Sequence, residues 1–155
     1  IMHRQNRSEN EVVVVVKPWS DEKKPVLKEQ YRKAIEDYIE PYRLINTKVT
    51  VESARYAGIC VHGKIALDQD SPKTRKAVLE RISRELSYTE RKHPFGTVIS
   101  YGQLFTALEN TEGVKKVLEL NLERTGNAAR KNDRGDVLLD ADALGILEGT
   151  DLEFC

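Results

Sequence analysis

The sequence predicts an α+β fold whose elements follow the order βαββαβ, as in a ferredoxin-like sandwich. Five consecutive valines, 12–16, indicate a buried strand. Two segments, 27–42 and 72–88, carry apolar residues at helical spacing, and polar and apolar residues alternate over 49–52 and 118–123. The 155 residues are enough for one domain, and 39% hydrophobic with 32% charged residues is typical of a globular protein.

The first strand is predicted over residues 11–17, after a flexible lead-in of residues 1–10. Because its valines do not alternate with polar residues, we expect the strand to be central in its sheet and covered on both faces. The first helix follows, and Pro41 ends it. Its polar residues, among them Arg32 and Glu36, are expected to face solvent. Its apolar stripe consists of Leu27, Tyr31, Ala34, Ile35, Tyr38, Ile39 and Tyr42.

A β-hairpin is predicted next, because the strands 49–52 and 56–65 are separated by only three residues, Ser53 to Arg55. Ser71 as N-cap, with a proline in the first helical position, then begins the second helix, which runs to about Tyr88. After an irregular segment, apolar spacing predicts a short extra helix over 101–110, before the fourth strand of the sandwich.

The predicted chain therefore has four parts. A flexible lead-in (1–10) precedes the ferredoxin-like domain (11–123), which a polar loop (124–136) connects to a C-terminal strand extension (137–155) that packs on the domain. The last strand is expected to pair antiparallel with residues 114–123.

The residues that carry chemistry are too scattered to predict a reaction. Cys60 and His62 lie two apart on a predicted strand, but zinc normally takes three or four protein ligands. Asp68 and Asp70 are interpreted as helix-capping acids rather than as a cation site. Neither a nucleophile beside a base nor a phosphate-binding glycine loop occurs in the sequence. We expect no catalytic residue, cofactor or metal ion, and Cys60 and Cys155 as free thiols.

Partner binding is the remaining class of function. Net charge is zero, which argues against bulk electrostatic capture of nucleic acid or of an acidic membrane, and no apolar run has transmembrane length. Aromatic residues in irregular segments either pack into the core or anchor a partner. The basic side chains of the polar loop either contact phosphate or are solvated. The candidate partner-binding residues are Trp19, Pro94, Phe95, Tyr101, Arg130 and Lys131.

Two parts of the sequence together resemble the C-terminal region of phage baseplate J-like proteins. One is the helix end and strand from Tyr38 to Val51, followed by the strand from Tyr56 to Val61. The other is the turn Pro94-Phe95-Gly96, then a short helix, a Gly-Val step at Gly113 and Val114, and a strand. The order and spacing of these motifs agree with the family over residues 12–123.

The resemblance implies a structural role in the wedge of a phage baseplate, or of a related contractile injection system. Its implied partners are other baseplate or tail proteins, and self-association, without enzymatic activity or a cofactor. The implied location is the virion tail baseplate, after assembly in the host bacterial cytoplasm. From the residues alone, a small-molecule regulatory domain or an RNA-binding domain is the alternative, although no aromatic pair lies on the predicted central strands.

Overall fold

The α+β class is confirmed by the computed structural model of the chain, which describes residues 2–6, 9–86, 88 and 94–155. These residues form nine strands, three α-helices and one 3-10 helix, Glu40–Tyr42. The elements are β1 (Met2–Asn6), β2 (Glu9–Val16), α1 (Glu29–Ile39), β3 (Thr47–Ser53), β4 (Arg55–Leu67), α2 (Pro72–Leu86), β5 (Val98–Ile99), α3 (Tyr101–Glu109), β6 (Val114–Thr125), β7 (Ala129–Lys131), β8 (Val137–Leu139) and β9 (Ala143–Phe154).

The chain forms two compact units, Ile1–Arg55 and Tyr56–Cys155. The four parts predicted from sequence stay a prediction. Two of them contain strands that the sequence did not indicate. β1 lies in the expected flexible lead-in, where its backbone pairs antiparallel with β2, and β7 lies in the expected polar loop, where it pairs antiparallel with β8. The predicted break of the second helix at 89–93 lies outside the described residues.

The first unit is built on the three-stranded sheet β1-β2-β3, in which the valine strand β2 is central, as predicted. β2 and β3 are parallel, with Val12 opposite Val49 and Val14 opposite Val51. Helix α1 makes the crossover connection that a parallel pair requires. Coverage of β2 is incomplete: Val13 is fully buried, but the other four valines are only half-buried.

The predicted hairpin between the strands 49–52 and 56–65 is wrong, because β3 pairs with β2 and not with β4. The amide of Ala54 donates to the carbonyl of Val16 (2.9 Å). The hydrogen-bond ladder between β2 and β3 therefore continues into the residues that were expected to form the hairpin turn. The elements β2, α1, β3, β4, α2 and β6 do follow the order βαββαβ. However, the described strands form three separate sheets, so the ferredoxin-like sandwich with one four-stranded sheet is not confirmed.

The second unit contains the sheet β6-β4-β9 and the small sheet β5-β8-β7. β4 and β6 are antiparallel, with His62 opposite Asn121. On the other side of β4, the amide of Cys155 donates to Ile65 (3.1 Å) and its carbonyl accepts from Leu67 (2.8 Å). In a parallel pair of strands, one residue forms its two backbone hydrogen bonds with residues that lie two positions apart on the neighbouring strand. The predicted antiparallel pairing of the last strand with 114–123 is therefore wrong, since β4 lies between them.

Helices α2 and α3 supply much of the apolar core of this unit. Ser71 is the N-cap that the sequence predicts, because its hydroxyl accepts from the amide of Thr74 (3.1 Å). The hydroxyl of Ser100 accepts in the same way from the amide of Gln103 (3.4 Å) at the start of α3. No described helix has the length and apolar character needed to cross a membrane. The core residues with less than 2% exposure include Ile59, Val61, Ile65, Val78, Ile82, Leu86, Leu104, Leu108 and Leu122.

Candidate interaction surfaces

Helix α1 partly buries two isoleucines and two charged residues, and it exposes its tyrosines. Ile35 and Ile39 of the predicted apolar stripe are half-buried, but so are Arg32 and Glu36, which were expected to face solvent; the prediction is corrected on this point by the contacts. The carboxylate of Glu36 accepts a hydrogen bond from the amide of Val51 on β3 (3.2 Å), and Arg32 donates to Glu36 (2.8 Å). A strand amide without a backbone partner needs an acceptor, which Glu36 supplies. Tyr31 and Tyr38 are exposed in consequence, and no residue of α1 is fully buried.

The exposed apolar residues of α1 continue into the segment that follows the helix. Tyr38 is 73% exposed and lies beside Tyr42, with ring centroids 5.9 Å apart. Leu44 and Ile45 come next, and Ile45 is 91% exposed. An exposed apolar patch of this extent is a common mark of a protein–protein contact. We call Tyr31, Tyr38, Tyr42, Leu44 and Ile45 the tyrosine stripe.

Of the predicted partner-binding residues, Trp19, Pro94 and Phe95 are exposed. Trp19 is 85% exposed in the first unit, where the Lys17 ammonium lies 5.8 Å from the ring centroid. Pro94 and Phe95 adjoin each other in the second unit. Their role in binding a partner stays a prediction.

Tyr101, the fourth predicted residue, is partly buried against the core rather than fully exposed. It packs against the apolar core of the second unit, with its ring 6.0 Å from that of Phe105. Arg130 and Lys131 are exposed on β7, and the Lys131 ammonium donates to the side-chain oxygen of Asn121 (2.6 Å). Both basic residues therefore lie in a strand rather than in an irregular loop, and their role in binding also stays a prediction.

Helical spacing predicts three residues of the tyrosine stripe to be part of the apolar side of a helix, but it does not predict that they are exposed. The residue type distinguishes a helix side that packs in a core from a helix side that binds a partner. Tyrosine carries a polar hydroxyl, so it suits a surface that is exposed to water in the free chain and buried when a partner binds. Leucine and isoleucine dominate closed cores.

The outer face of the sheet β6-β4-β9 is charged. His62 lies on the central strand, 3.5 Å from a carboxylate oxygen of Glu123 on β6 and 3.5 Å from one of Asp151 on β9. Lys64 is 3.4 Å from Glu153. His62 thus lies beside carboxylates of both neighbouring strands, and the exposed ion pair of Lys64 with Glu153 contributes little stability. A cavity of about 550 Å³ opens here; its lining includes His62, Lys64, Tyr101, Glu119, Asn121, Asp151 and Glu153.

The thiols and acids of the described residues form no metal-binding group. Cys60 and Cys155 are free thiols. Throughout the described ranges, no group of three or more His, Cys, Asp or Glu side chains is arranged to hold a metal ion. Burial raises the pKa of Tyr56 to about 12, and the phenol of Tyr88 adds to this shift. Tyr56 therefore stays protonated at neutral pH.

One carboxylate organises the connection between the loop 132–136 and helix α3. Asp136 accepts from the side chain of Asn132 (3.0 Å) and from the amide of Tyr101 at the start of α3 (2.9 Å). The hydrogen bond from Asn132, followed by that from the Tyr101 amide, lowers the pKa of Asp136 below its ordinary 3.8. The ionised form is the one that holds this connection together.

Replacing Asp136 by asparagine should lower the free energy of unfolding at neutral pH, with a difference that disappears in acid. Because the folded-state pKa is depressed, the contribution of the carboxylate is complete above about 3.8 and is lost as the pH falls through the folded value. Urea unfolding of both proteins at pH 7 and at successively lower pH measures this difference. Asp133→Asn, an exposed carboxylate in the same loop, is the control and should change little. A difference that persists unchanged in strong acid would contradict the assignment.

Comparison with known proteins gives a likeness of structure only. No family model and no curated protein matches the sequence. The fold is similar to that of one chain in the cryo-EM structure of the anti-feeding prophage (AFP) baseplate, 6-fold symmetrised, with a TM-score of 0.66 and 14% sequence identity. The likeness covers 92% of this chain and 30% of that chain, so this chain spans less than a third of the length of its structural neighbour. At this identity, the likeness establishes the fold.

Proposed function

We propose that this protein is a structural component of a baseplate, in a contractile phage tail or a related injection system, and that it acts by protein–protein assembly. The observation that carries the proposal is the fold likeness, over 92% of the chain, to a chain of the AFP baseplate. The sequence resemblance to the C-terminal region of baseplate J-like proteins supports the same role from local motifs.

The tyrosine stripe supports an assembly role on physical grounds. A helix that places Arg32 and Glu36 toward its own sheet and its tyrosines outward has these aromatic side chains available for a neighbour. Within the baseplate, we place the chain in the wedge, with other baseplate or tail proteins as partners. Its function there is non-enzymatic. Assembly takes place in the host bacterial cytoplasm, before the baseplate is part of the tail.

Co-expression with the products of the adjacent genes tests this role. The chain should co-elute with at least one of them in size-exclusion chromatography with mass detection, at a mass that fits a stoichiometric complex. Trp19→Ala and Phe95→Ala then test the predicted partner-binding residues, since loss of a buried aromatic anchor weakens a complex strongly. Elution of the chain without any of these products would contradict the baseplate role.

A further inference from the structure

Strand β9 is a long edge strand whose second half has one open side. It has twelve residues and lies at one edge of the sheet β6-β4-β9, with β4 as its neighbour. Residues 143–146 are buried, whereas residues 148–154 are exposed or half-buried. On the side away from β4, these residues have no neighbouring strand within the part of the chain that the structure describes. We call residues 148–154 the β9 edge.

The register between β9 and β4 identifies the backbone groups that point to the open side. Both backbone groups of Cys155 bond to β4. Asp151 and Glu153 keep the same offset along β4, because their carboxylates lie 3.5 Å from His62 and 3.4 Å from Lys64. Backbone groups alternate between the two sides of a strand, so the residues between these positions direct their N–H and C=O groups away from β4. They are Thr150, Leu152 and Phe154.

The chain protects other strand edges but not this one. On the edge strand β3, the amide of Val51 bonds to the Glu36 carboxylate of α1 (3.2 Å). Natural edge strands are also protected by lysine or proline. The opposite edge strand β6 contains Lys115 and Lys116, whereas β9 contains neither lysine nor proline. An open edge of this kind accepts an extended segment of another protein as an added strand.

The charge of β9 disfavours a second copy of the same strand and favours a basic one. The strand carries Glu148, Asp151 and Glu153 and no basic residue. Two copies of β9 side by side would bring carboxylates together, and like charges destabilise a strand pair. The side chains of Asp151 and Glu153 are 85% and 76% exposed, so they are within reach of basic side chains on an added strand.

The two faces of β9 specify how residues alternate in such a segment. Asp151 and Glu153 lie on the outer face, where they line the cavity of about 550 Å³. Leu152 and Phe154 lie on the opposite face, half-buried against the core. Neighbouring strands align their side chains face by face. Basic residues of an added strand would therefore lie beside the two carboxylates, and its apolar residues beside Leu152 and Phe154.

We propose that the β9 edge binds an extended segment of another protein, in which basic and apolar residues alternate, as an added strand of the sheet β6-β4-β9. The bound segment forms backbone hydrogen bonds with Thr150, Leu152 and Phe154. Its basic side chains form ion pairs with Asp151 and Glu153. The inference deepens the proposed assembly role, on which it rests, by naming a docking surface and the chemistry of the partner segment.

A synthetic peptide tests this binding with the full chain. The probe is a fluorescein-labelled octapeptide that alternates lysine and valine, and its counterpart alternates glutamate and valine. Fluorescence anisotropy should show saturable binding of the lysine peptide, at least about tenfold tighter than that of the glutamate peptide. The proposal is overturned if the lysine peptide shows no saturable binding up to about 1 mM, or if the two peptides bind equally.

N-methylated peptides test whether the backbone of the segment makes the contact. One lysine peptide carries N-methyl groups on its valines and another on its lysines, so each lacks the amide donors on one side of the extended chain. Strand addition predicts that one of them loses at least about tenfold in affinity while the other keeps it. The peptide that fails also identifies the direction of the added strand. Equal affinities of these two peptides would overturn strand addition.

A charge reversal on the chain tests the position of the site. Asp151→Lys with Glu153→Lys should weaken binding of the lysine peptide by about tenfold or more and make the glutamate peptide the tighter ligand. The matched control is Glu119→Lys with Glu123→Lys, which makes the same change of charge on the opposite edge strand β6. It should change both affinities by less than about threefold. Equal effects of the two double variants would overturn the assignment to the β9 edge.

The failure of this inference is distinguishable from the failure of the proposed function. A chain that binds no lysine peptide, and whose Asp151→Lys with Glu153→Lys variant still co-elutes with a product of an adjacent gene, keeps the baseplate role and overturns the inference. A chain that binds the lysine peptide at the β9 edge but none of those products supports the inference and contradicts the baseplate role.

Discussion

Replacing Ile82 by alanine is expected to lower the free energy of unfolding by about 2–5 kcal/mol. Ile82 lies on α2 with no exposed surface, in the same core cluster as Val78 and Leu86. The substitution removes three carbon atoms from a site enclosed on all sides, so transfer free energy is lost and a cavity is left behind. Urea unfolding followed by circular dichroism measures the difference from the wild-type chain.

Leu79→Ala is the matched control for Ile82→Ala. Leu79 lies three residues earlier on the same helix and is 40% exposed, so the same kind of truncation creates no closed cavity. We expect it to change the free energy of unfolding by about 0.5 kcal/mol or less. Equal losses from the two substitutions would mean that α2 does not pack through the side that contains Ile82.

Replacing Gly63 by alanine should be the second most damaging of these changes, with a loss of about 1–3 kcal/mol or more. A Cβ atom at Gly63 would lie 2.5 Å from the carbonyl oxygen of Glu119 on the neighbouring strand β6. That oxygen belongs to the backbone and cannot rotate away as a side chain would, so the β4–β6 ladder must shift. Denaturant unfolding gives the loss directly, and a change in the denaturant slope would report a wider rearrangement.

Gly102→Ala provides a control of opposite sign. Gly102 lies within α3, where a Cβ atom would meet only the Ser100 hydroxyl oxygen, at 3.9 Å. Alanine is the better helix former, so this substitution should raise the free energy of unfolding by about 0.5–1 kcal/mol. If Gly63→Ala raises the free energy of unfolding as Gly102→Ala does, the close approach of β4 to the β6 backbone is not as described.

The sequence predicts the local features of this fold well and the pairing of its strands poorly. Helices α2 and α3 follow from apolar spacing, and the cap Ser71 from residue type, because both signals act over a few neighbouring residues. Strand pairing depends on residues far apart. Nothing near Ala54 indicates that its amide bonds to Val16, and that bond is what distinguishes the observed crossover from the expected hairpin.

For the tyrosine stripe as well, the sequence predicts the local pattern but not the contacts between distant elements. Periodicity predicts which side of α1 is apolar, but which of its residues face inward also depends on the hydrogen-bonding groups of β3. The amide of Val51 requires an acceptor, Glu36 supplies one, and the helix is turned accordingly. Trp19 is exposed, while Tyr101 is partly buried against the core, because aromatic type alone does not separate these two environments.

The parallel pairing of β4 with β9 has a consequence for folding during synthesis. A contact between Cys155 and Ile65 joins residues 90 positions apart. A ribosome adds about 5–20 residues per second, so β4 leaves the ribosome roughly 5–20 s before its β9 neighbour is available. During that interval one edge of β4 is open to pairing with other nascent chains. Conditions that slow elongation should therefore lower the soluble yield of this protein, and co-expression of a chaperone that shields open strands should restore it.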